Sequence, residues 1–279
     1  MSLFITSLNS GSNGNCYYIG NRNEAVLVDA GISCRETEKR MARLGLSMLN
    51  VKAIFVSHEH TDHIKGIAVL AKKYHLPVYI TQKTLAHSKV SLADYLVRTF
   101  IPYQNVEIGG LSICPFPKFH DAVDPHSFIV SYNDVRVGVF TDIGDVCEHV
   151  VSHFQKCHAA FLETNYDEVL LENGNYPWFL KNRIRGGKGH LSNRQALELF
   201  KAHRSDQMSH LLLSHLSKNN NCHIAAQAVF NECAGDVKIV HASRDRETEV
   251  FEIGATRLFS NYEQAHRSAT LLNDQKLEM

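Results

Sequence analysis

The sequence has no surplus of either charge. Its 29 basic and 29 acidic side chains cancel, so no global field draws the chain toward nucleic acid or anionic lipid, and polyanion binding has to come from a local patch. No C-x-x-C spacing occurs among the seven cysteines, and their number is odd, so nothing suggests a disulfide framework or a thiolate zinc site. No stretch approaches the roughly 18 consecutive apolar residues of a membrane span, and the N-terminus lacks the basic-then-apolar order of a secretory signal. A cytoplasmic protein with no membrane partner is the resulting expectation. Short-period repeats and an interdomain linker are missing too. The 279 residues therefore read as one large domain over 1–255, followed by a polar tail over 256–279 that is an exposed helix or partly disordered. Histidine, by contrast, is plentiful: there are 17, several of them next to acids and glycines.

Apolar, β-branched runs at 4–7, 16–19, 25–28 and 51–56 predict strands, and the polar, glycine-rich 9–15 segment turns between the first two. Ser33-x-x-Glu36 and Ser192-x-x-Gln195 have capping-box spacing, and each predicts a helix, the first ending near residue 44. Further helices are expected from the histidine run to residue 74, and over 146–154, 177–184 and 224–231. Strands are expected over 77–80, 106–108, 111–115, 127–131, 135–140, 159–162, 210–213, 237–240 and 249–253. Both halves share a rhythm of strands followed by helix–strand pairs, with candidate chemistry at strand ends. Two mixed sheets packed face to face with helices outside, an α/β four-layer αββα sandwich, satisfy that rhythm.

The run His58-Glu59-His60-Thr61-Asp62-His63 follows directly on the 51–56 strand. A divalent metal at a hydrolytic site needs neutral imidazoles and carboxylates on rigid elements, with one position left for water. His58 and His60, two apart in extended chain, point the same way. Asp62 and His63 follow as the chain turns into a helix, where they can address a second ion. Taken alone, the outlying residues keep two readings. Asp29 and Asp142 fit turn acids at strand ends as well as ligands, His120 competes with His126, and His215 competes with His210 and His223. Glu163 and His190 fit a helix cap and a packed loop residue as well as catalytic groups.

H-x-H-x-D-H is the signature of the metallo-β-lactamase superfamily, which the chain resembles at five stations in order: Asp29, the His58–His63 run, His120, Asp142 and His215. The resemblance implies that Asp29 braces the metal loop. It also implies one ion on His58, His60, His120 and Asp142, and a second on Asp62, His63, Asp142 and His215. None of these ligands is a cysteine, so zinc, manganese and iron all suit the set. His60 stands where redox members with a di-iron centre usually carry an acid, which favours hydrolysis.

The segments around Glu163 and His190 resemble those of ribonuclease Z enzymes, whose Glu–His pair helps protonate a leaving oxygen. A departing alkoxide gains from such a general acid even beside two metals. Ser10-Gly-Ser-Asn-Gly-Asn15, His120-Asp-Ala-Val-Asp-Pro125 and Gly189-His-Leu-Ser-Asn193 together resemble the YycJ/WalJ-like branch, which implies a 5′-to-3′ DNA exonuclease with a role in DNA repair. The segments either side of Asp142 are too short for the tRNA-grasping arm of ribonuclease Z or the extra domain of ribonuclease J.

For substrate, Lys181, Arg183, Arg185 and Lys188 lie in a stretch with no acid, and read either as a solvated face or as a phosphate grip. Tyr176, Trp178 and Phe179 among them read as base-stacking platforms or as the core face of a helix. The loop carrying Ser12 and Asn15 offers N–H groups to phosphate or is a plain hairpin loop, and the helix start at Ser192, beside His190, also favours phosphate. The expected enzyme is a dinuclear phosphodiesterase acting on transiently bound DNA. In it a metal-bound hydroxide, held by Asp62 or the ions, attacks phosphorus, His190 oriented by Glu163 protonates the leaving group, and Arg183, Arg185 and Lys188 hold the backbone. Its rivals are a thioester or lactone hydrolase on the same metals and a non-catalytic metal-binding partner module.

Overall fold

The computed structural model describes residues 2–254, so the polar tail expected over 256–279 lies outside the described residues. The chain forms two seven-stranded mixed sheets. The first holds β1 (Ser2–Asn9), β2 (Cys16–Gly20), β3 (Ala25–Val28), β4 (Val51–Phe55), β5 (Val78–Tyr79) and β6 (Val97–Arg98). The second holds β7 (Val106–Ile108), β8 (Leu111–Pro117), β9 (His126–Tyr132), β10 (Val135–Phe140), β11 (Ala159–Glu163), β12 (His210–Ser214) and β13 (Lys238–His241). The last strand, β14 (Phe251–Gly254), returns to the first sheet and pairs antiparallel with β1. Each sheet changes from antiparallel to parallel midway, at β3–β4 in the first and at β10–β11 in the second. Hairpins join the antiparallel strands, and the parallel β10 and β11 need the helical crossover between them.

Three apolar layers separate four structural ones. Between the sheets lie Ile5, Val28 and Phe55 of the first against Phe128, Val139 and Phe161 of the second. Outside the first sheet, Met41 of α1 (Cys34–Arg43) and Leu70 of α3 (Ile67–Tyr74), which follows the short α2 (Thr61–Ile64), cover Leu27 and Ile54. Outside the second sheet, three helices supply the cover, with α4 (Gln82–His87) lying earlier in the chain. Phe154 of α5 (Glu148–Phe154) packs there with Leu162 and Leu213, and so do Phe200 and Phe230. Those two come from α8 (Asn193–His203) and α9 (His223–Asn231), which follow α6 (Glu168–Asn173) and α7 (Trp178–Arg185). β11 shows why such strands read as unbroken apolar runs: Ala159 and Phe161 face the inner layer, Ala160 and Leu162 the outer one. No helix among the described residues is long and apolar enough to cross a membrane.

The capping boxes differ in outcome. At Ser192 both reciprocal bonds form, with Ser192 Oγ accepting from Gln195 N–H at 3.1 Å and Gln195 Oε1 from Ser192 N–H at 2.9 Å. At Ser33 only the hydroxyl half forms, because Glu36 Oε1 takes a charge-assisted bond from Arg40 Nε at 2.8 Å. The helix expected to run from the histidine cluster to residue 74 is broken between α2 and α3. Asp62 O is taken by Asn15 N–H (2.7 Å) and Gly66 N–H by Ala30 O (2.8 Å), so tertiary bonds replace the helical bond from 66 to 62.

Asp29, His58, Asp142, Glu163 and His215 all sit at the carboxyl ends of parallel strands, where open α/β sheets bind ligands. Asp29, Asp142 and His215 hold positive φ angles of 60°, 55° and 56°. Side chains other than glycine adopt this region at a cost of about 1 kcal/mol or more, and such residues cluster at functional sites. The loop after β3 presses against the metal-loop backbone: a Cβ on Gly31 would stand 1.6 Å from Asp62 O. Gly31→Ala is therefore expected to lose about 3 kcal/mol or more by urea unfolding. Gly187→Ala, with nothing within 4 Å of its new methyl, is expected to stay within about 0.5 kcal/mol of the parent.

Candidate metal centre

Asp29 organises the first histidines. Its Oδ1 accepts from Ser57 N–H (2.8 Å), and its Oδ2 accepts from Ser57 Oγ–H (2.8 Å) and from His63 Nδ1–H (2.7 Å). With its hydrogen given to Asp29, Ser57 Oγ accepts from His58 Nδ1–H at 2.8 Å. His120 Nδ1 donates to Gly189 O at 3.0 Å, and His215 Nδ1 donates to Glu163 Oε1 at 2.8 Å. Four imidazoles thus have Nδ1 committed outward and Nε2 turned toward the centre, the arrangement by which carboxylates and carbonyls orient metal-binding histidines.

The inward atoms form two groups. His58 Nε2 and His120 Nε2 lie 3.0 and 3.3 Å from His60 Nδ1, three imidazole nitrogens converging on one point. Burial, with His63 and Lys118 adding to it, holds His58 well below the ordinary histidine pKa. Burial likewise lowers His120 to about 4, so both rings are neutral, as ligands must be. The other group is rich in carboxylate. His63 Nε2 lies 3.2 Å from Asp142 Oδ2 and 3.6 Å from Asp62 Oδ2, and His215 Nε2 lies 3.6 Å from Asp62 Oδ2. Burial alone would depress His63, but Asp142, Asp29 and Asp62 outweigh it and lift the pKa to about 10. A proton there does part of what a cation would do.

Among the described residues Asp142 Oδ2 and His215 Nε2 are buried with no hydrogen-bond partner, a cost that a cation bound there would remove. His58, His60 and His120 could hold one divalent ion and Asp62, His63 and His215 a second, with Asp142 carboxylate oxygens 3.8 Å from His120 Nε2 and 3.2 Å from His63 Nε2. An imidazole and carboxylate set of this kind suits zinc, manganese or iron.

Asn15, expected at a phosphate, is instead fully buried. Its Oδ1 accepts from Gly11 N–H and Tyr17 Oη–H (3.0 and 3.1 Å), which turns its amide nitrogen toward His63 Nε2 (3.0 Å) and Asp62 Oδ2 (3.2 Å). The Ser10–Asn15 loop is therefore a clamp on the carboxylate-rich half, and Ser10 Oγ also accepts from His215 N–H at 2.7 Å. Asn15→Ala is expected to weaken ion binding at that half by about 10- to 100-fold, read by competition with a chromophoric chelator. Ser12 stays exposed and lines the pocket over the centre, a space of about 430 Å³ shared with Asp62, Arg183 and His190.

Beside the carboxylate-rich half, Glu163 Oε1 accepts from both His190 Nδ1 and His215 Nδ1 at 2.8 Å, and Oε2 accepts from Ile143 N–H at 2.6 Å. Burial pushes this carboxyl up, but His190 and His215 prevail and bring it down to about 2, so it stays ionised. At the start of α8, expected to favour phosphate, Ser192 is buried and Asn193 N–H is spent on Tyr166 O at 2.8 Å.

The basic run is largely tied down. Arg183 pairs with Asp121, and Arg185 pairs with Glu172 at 2.8 Å while stacking on Trp178 at 4.5 Å. Lys188 is exposed. Trp178 and Phe179 are 64% and 72% exposed, so α7 presents its aromatics to solvent instead of to a core. The competing histidines lie elsewhere: His126 packs edge-on to Phe100, His210 against Phe251, and His223 on His241.

Four residues join the site unforeseen. Ser57 relays Asp29 to His58, and Asp121 Oδ1 lies 3.3 Å from His120 Nε2; both are sequence neighbours of candidate histidines, a signal that adjacency could have supplied. Asn165 Nδ2 donates to His215 O (2.8 Å), and the buried Lys118 Nζ donates to Thr141 O (2.6 Å) below Asp142. Neither carries a pattern legible in sequence.

A family model described as a beta-lactamase superfamily domain matches residues 24–216, a span reaching from before Asp29 to just past His215. The chain is 35% identical over 224 residues to the exodeoxyribonuclease YycJ of Bacillus anthracis, covering 79% of this chain and 85% of that protein. It is 31% identical over 261 residues to the exodeoxyribonuclease WalJ of Streptococcus pneumoniae, covering 88% and 96% respectively. Its fold is similar to the crystal structure of the metallo-beta-lactamase fold protein YhfI from Bacillus subtilis, with a TM-score of 0.70 over 90% of this chain and 100% of that one. At 15% identity this last likeness is one of fold alone.

Proposed function

The chain belongs to the beta-lactamase superfamily, and on that premise we propose that it is a DNA exonuclease working 5′-to-3′ with two divalent cations. Membership and relatives make it a metal-dependent hydrolase. The fold leaves the substrate open. The observation that carries the phosphodiester reading is the Glu163–His190 pair at 2.8 Å, on the rim of the pocket over the metal centre. An alkoxide leaving group needs a proton donor, whereas a thiolate, with a free pKa of about 8.5, departs without one. The relatives named exodeoxyribonuclease support DNA as the polymer.

In this reading His58, His60 and His120 would hold one cation and Asp62, His63 and His215 the other, with Asp142 available to either. Divalent ions held there supply an acidified water and offset the charge of the phosphate. Asp62, its side chain 22% exposed in the pocket, orients the attacking water. His190 keeps Nδ1–H on the ionised Glu163, which stabilises the imidazolium and leaves Nε2–H for the departing oxygen. Ser12, Arg183 and Lys188 are available to the substrate backbone, Arg183 by exchanging Asp121 for phosphate, while Arg185 keeps Trp178 in place.

The test is a digestion panel with metal-reconstituted protein. DNA labelled at either end, RNA of the same sequence and a small thioester are offered in parallel. The proposal expects mononucleotides released first from the 5′ label of DNA. Thioester turnover with every nucleic acid intact would instead establish the small-molecule hydrolase.

A further inference from the structure

A second cleft, larger than the metal pocket, lies directly beside it. It encloses about 650 Å³ and starts at Leu216 and Ser217, which line both spaces. Its wall is the loop between β13 and β14, and that loop is fastened to the clamp around the metal centre. Ser10 N–H donates to Ser243 O (3.1 Å) and Asn13 Nδ2 to Arg244 O (2.9 Å).

The charges in the cleft sort themselves. Glu247 is held by Arg43 at 2.6 Å and Glu249 by Lys238 at 2.8 Å. Lys218, Arg244 and Arg246 take part in no ion pair among the described residues, and they face Asp245 as the one unpaired carboxylate of the lining. Arg244 Nη1 is buried with no hydrogen-bond partner among the described residues, a costly position for a donor. Opposite, the His223 and His241 rings stack with centroids 4.6 Å apart and an 18° tilt, a flat polarizable surface in the same space.

A chain with no net charge can bind a polyanion only through a local patch, and cations already paired to carboxylates gain least from phosphate. Arg183 and Arg185 on α7 are paired; the three cations of this cleft are not. We propose that the cleft seats the sugar–phosphate backbone of the nucleic-acid strand on one side of the scissile bond, with Lys218, Arg244 and Arg246 on its phosphates. This rests on the phosphodiesterase reading above.

The experiment compares kcat/KM for a single-stranded oligonucleotide long enough to cross both spaces with that for bis(p-nitrophenyl) phosphate, which fits in the metal pocket alone. Lys218→Glu with Arg246→Glu reverses two exposed charges. The ratio of the two kcat/KM values should fall at least about tenfold, through KM for the oligonucleotide. The slope of log(kcat/KM) against log salt should become shallower by roughly 1.4, the share of two phosphate contacts on a single strand. Lys218→Arg with Arg246→Lys should keep both quantities. An unchanged ratio and slope in a protein that digests the oligonucleotide would overturn the cleft assignment. A parent protein that hydrolyses neither the oligonucleotide nor bis(p-nitrophenyl) phosphate would remove the phosphodiesterase reading itself.

Discussion

Replacing Asp142 with alanine is expected to abolish hydrolysis, with a loss of at least about 1,000-fold in kcat, because several kcal/mol of transition-state stabilisation would depend on the cations this carboxylate is proposed to hold. Its Oδ2 stands 3.2 Å from His63 Nε2, while its Oδ1 stands 3.3 Å from His215 Nδ1 and 3.8 Å from His120 Nε2. Among the described residues no other carboxylate lies within 4 Å of both donor groups. Burial pushes its pKa up, but His215, His63 and His58 hold it well below the ordinary aspartate range, so it is ionised and ready for a cation. Asp29, Asp62 and Glu163 remain to neutralise His63 and His215 in the variant, so the fold is expected to survive. Elemental analysis after dialysis should then find less than the parent's complement of metal in a protein with an unaltered circular-dichroism spectrum. Full metal content with full activity would remove Asp142 from the centre.

Replacing His190 with alanine is expected to lower kcat on a natural phosphodiester by about 10²- to 10⁴-fold, the usual worth of a positioned general acid. Metal content should not change, since His190 is assigned to neither cation. The diagnostic lies in the leaving group. A p-nitrophenyl phosphodiester expels an anion that needs no proton, so its turnover should fall less than about tenfold in the same variant. Glu163→Gln removes the charge that stabilises the imidazolium but leaves an amide oxygen for Nδ1–H, so it should fall between parent and His190→Ala on the natural substrate. Equal losses of His190→Ala on both substrates would show that His190 shapes the pocket without moving a proton.

These expectations rest on geometry that was partly visible in the residues themselves. The apolar runs are legible because parallel strands in a four-layer fold are buried on both faces, as β11 and β12 are. The histidine run is legible because its spacing has few other uses. What stayed hidden was short or tertiary in origin. α4, β6 and α6 have two to six residues each and bury too little for a periodic signal; α4 and α6 are fixed mainly by the caps Thr81 and Asp167. The break at Gly66 arises from bonds to Ala30 and Asn15 far away in sequence. Asn15 shows the limit best. A polar, glycine-rich loop reads as open to solvent, yet Tyr17 and Gly11 turn its amide inward onto Asp62 and His63. The pairing of Arg183 and Arg185 stays hidden for the opposite reason, because their partners Asp121 and Glu172 lie outside the basic run.

The cluster running from His58 to His215 is proposed to be a metal centre that cuts DNA. The most direct test is a titration of chelator-stripped protein with zinc, manganese or iron while mononucleotide release from 5′-labelled DNA is followed. No release is expected without metal, and release should rise to a plateau as two equivalents are taken up with at least one of the three ions. DNA left intact at two bound equivalents of each ion, or digestion undiminished in the chelated protein, would contradict the proposal.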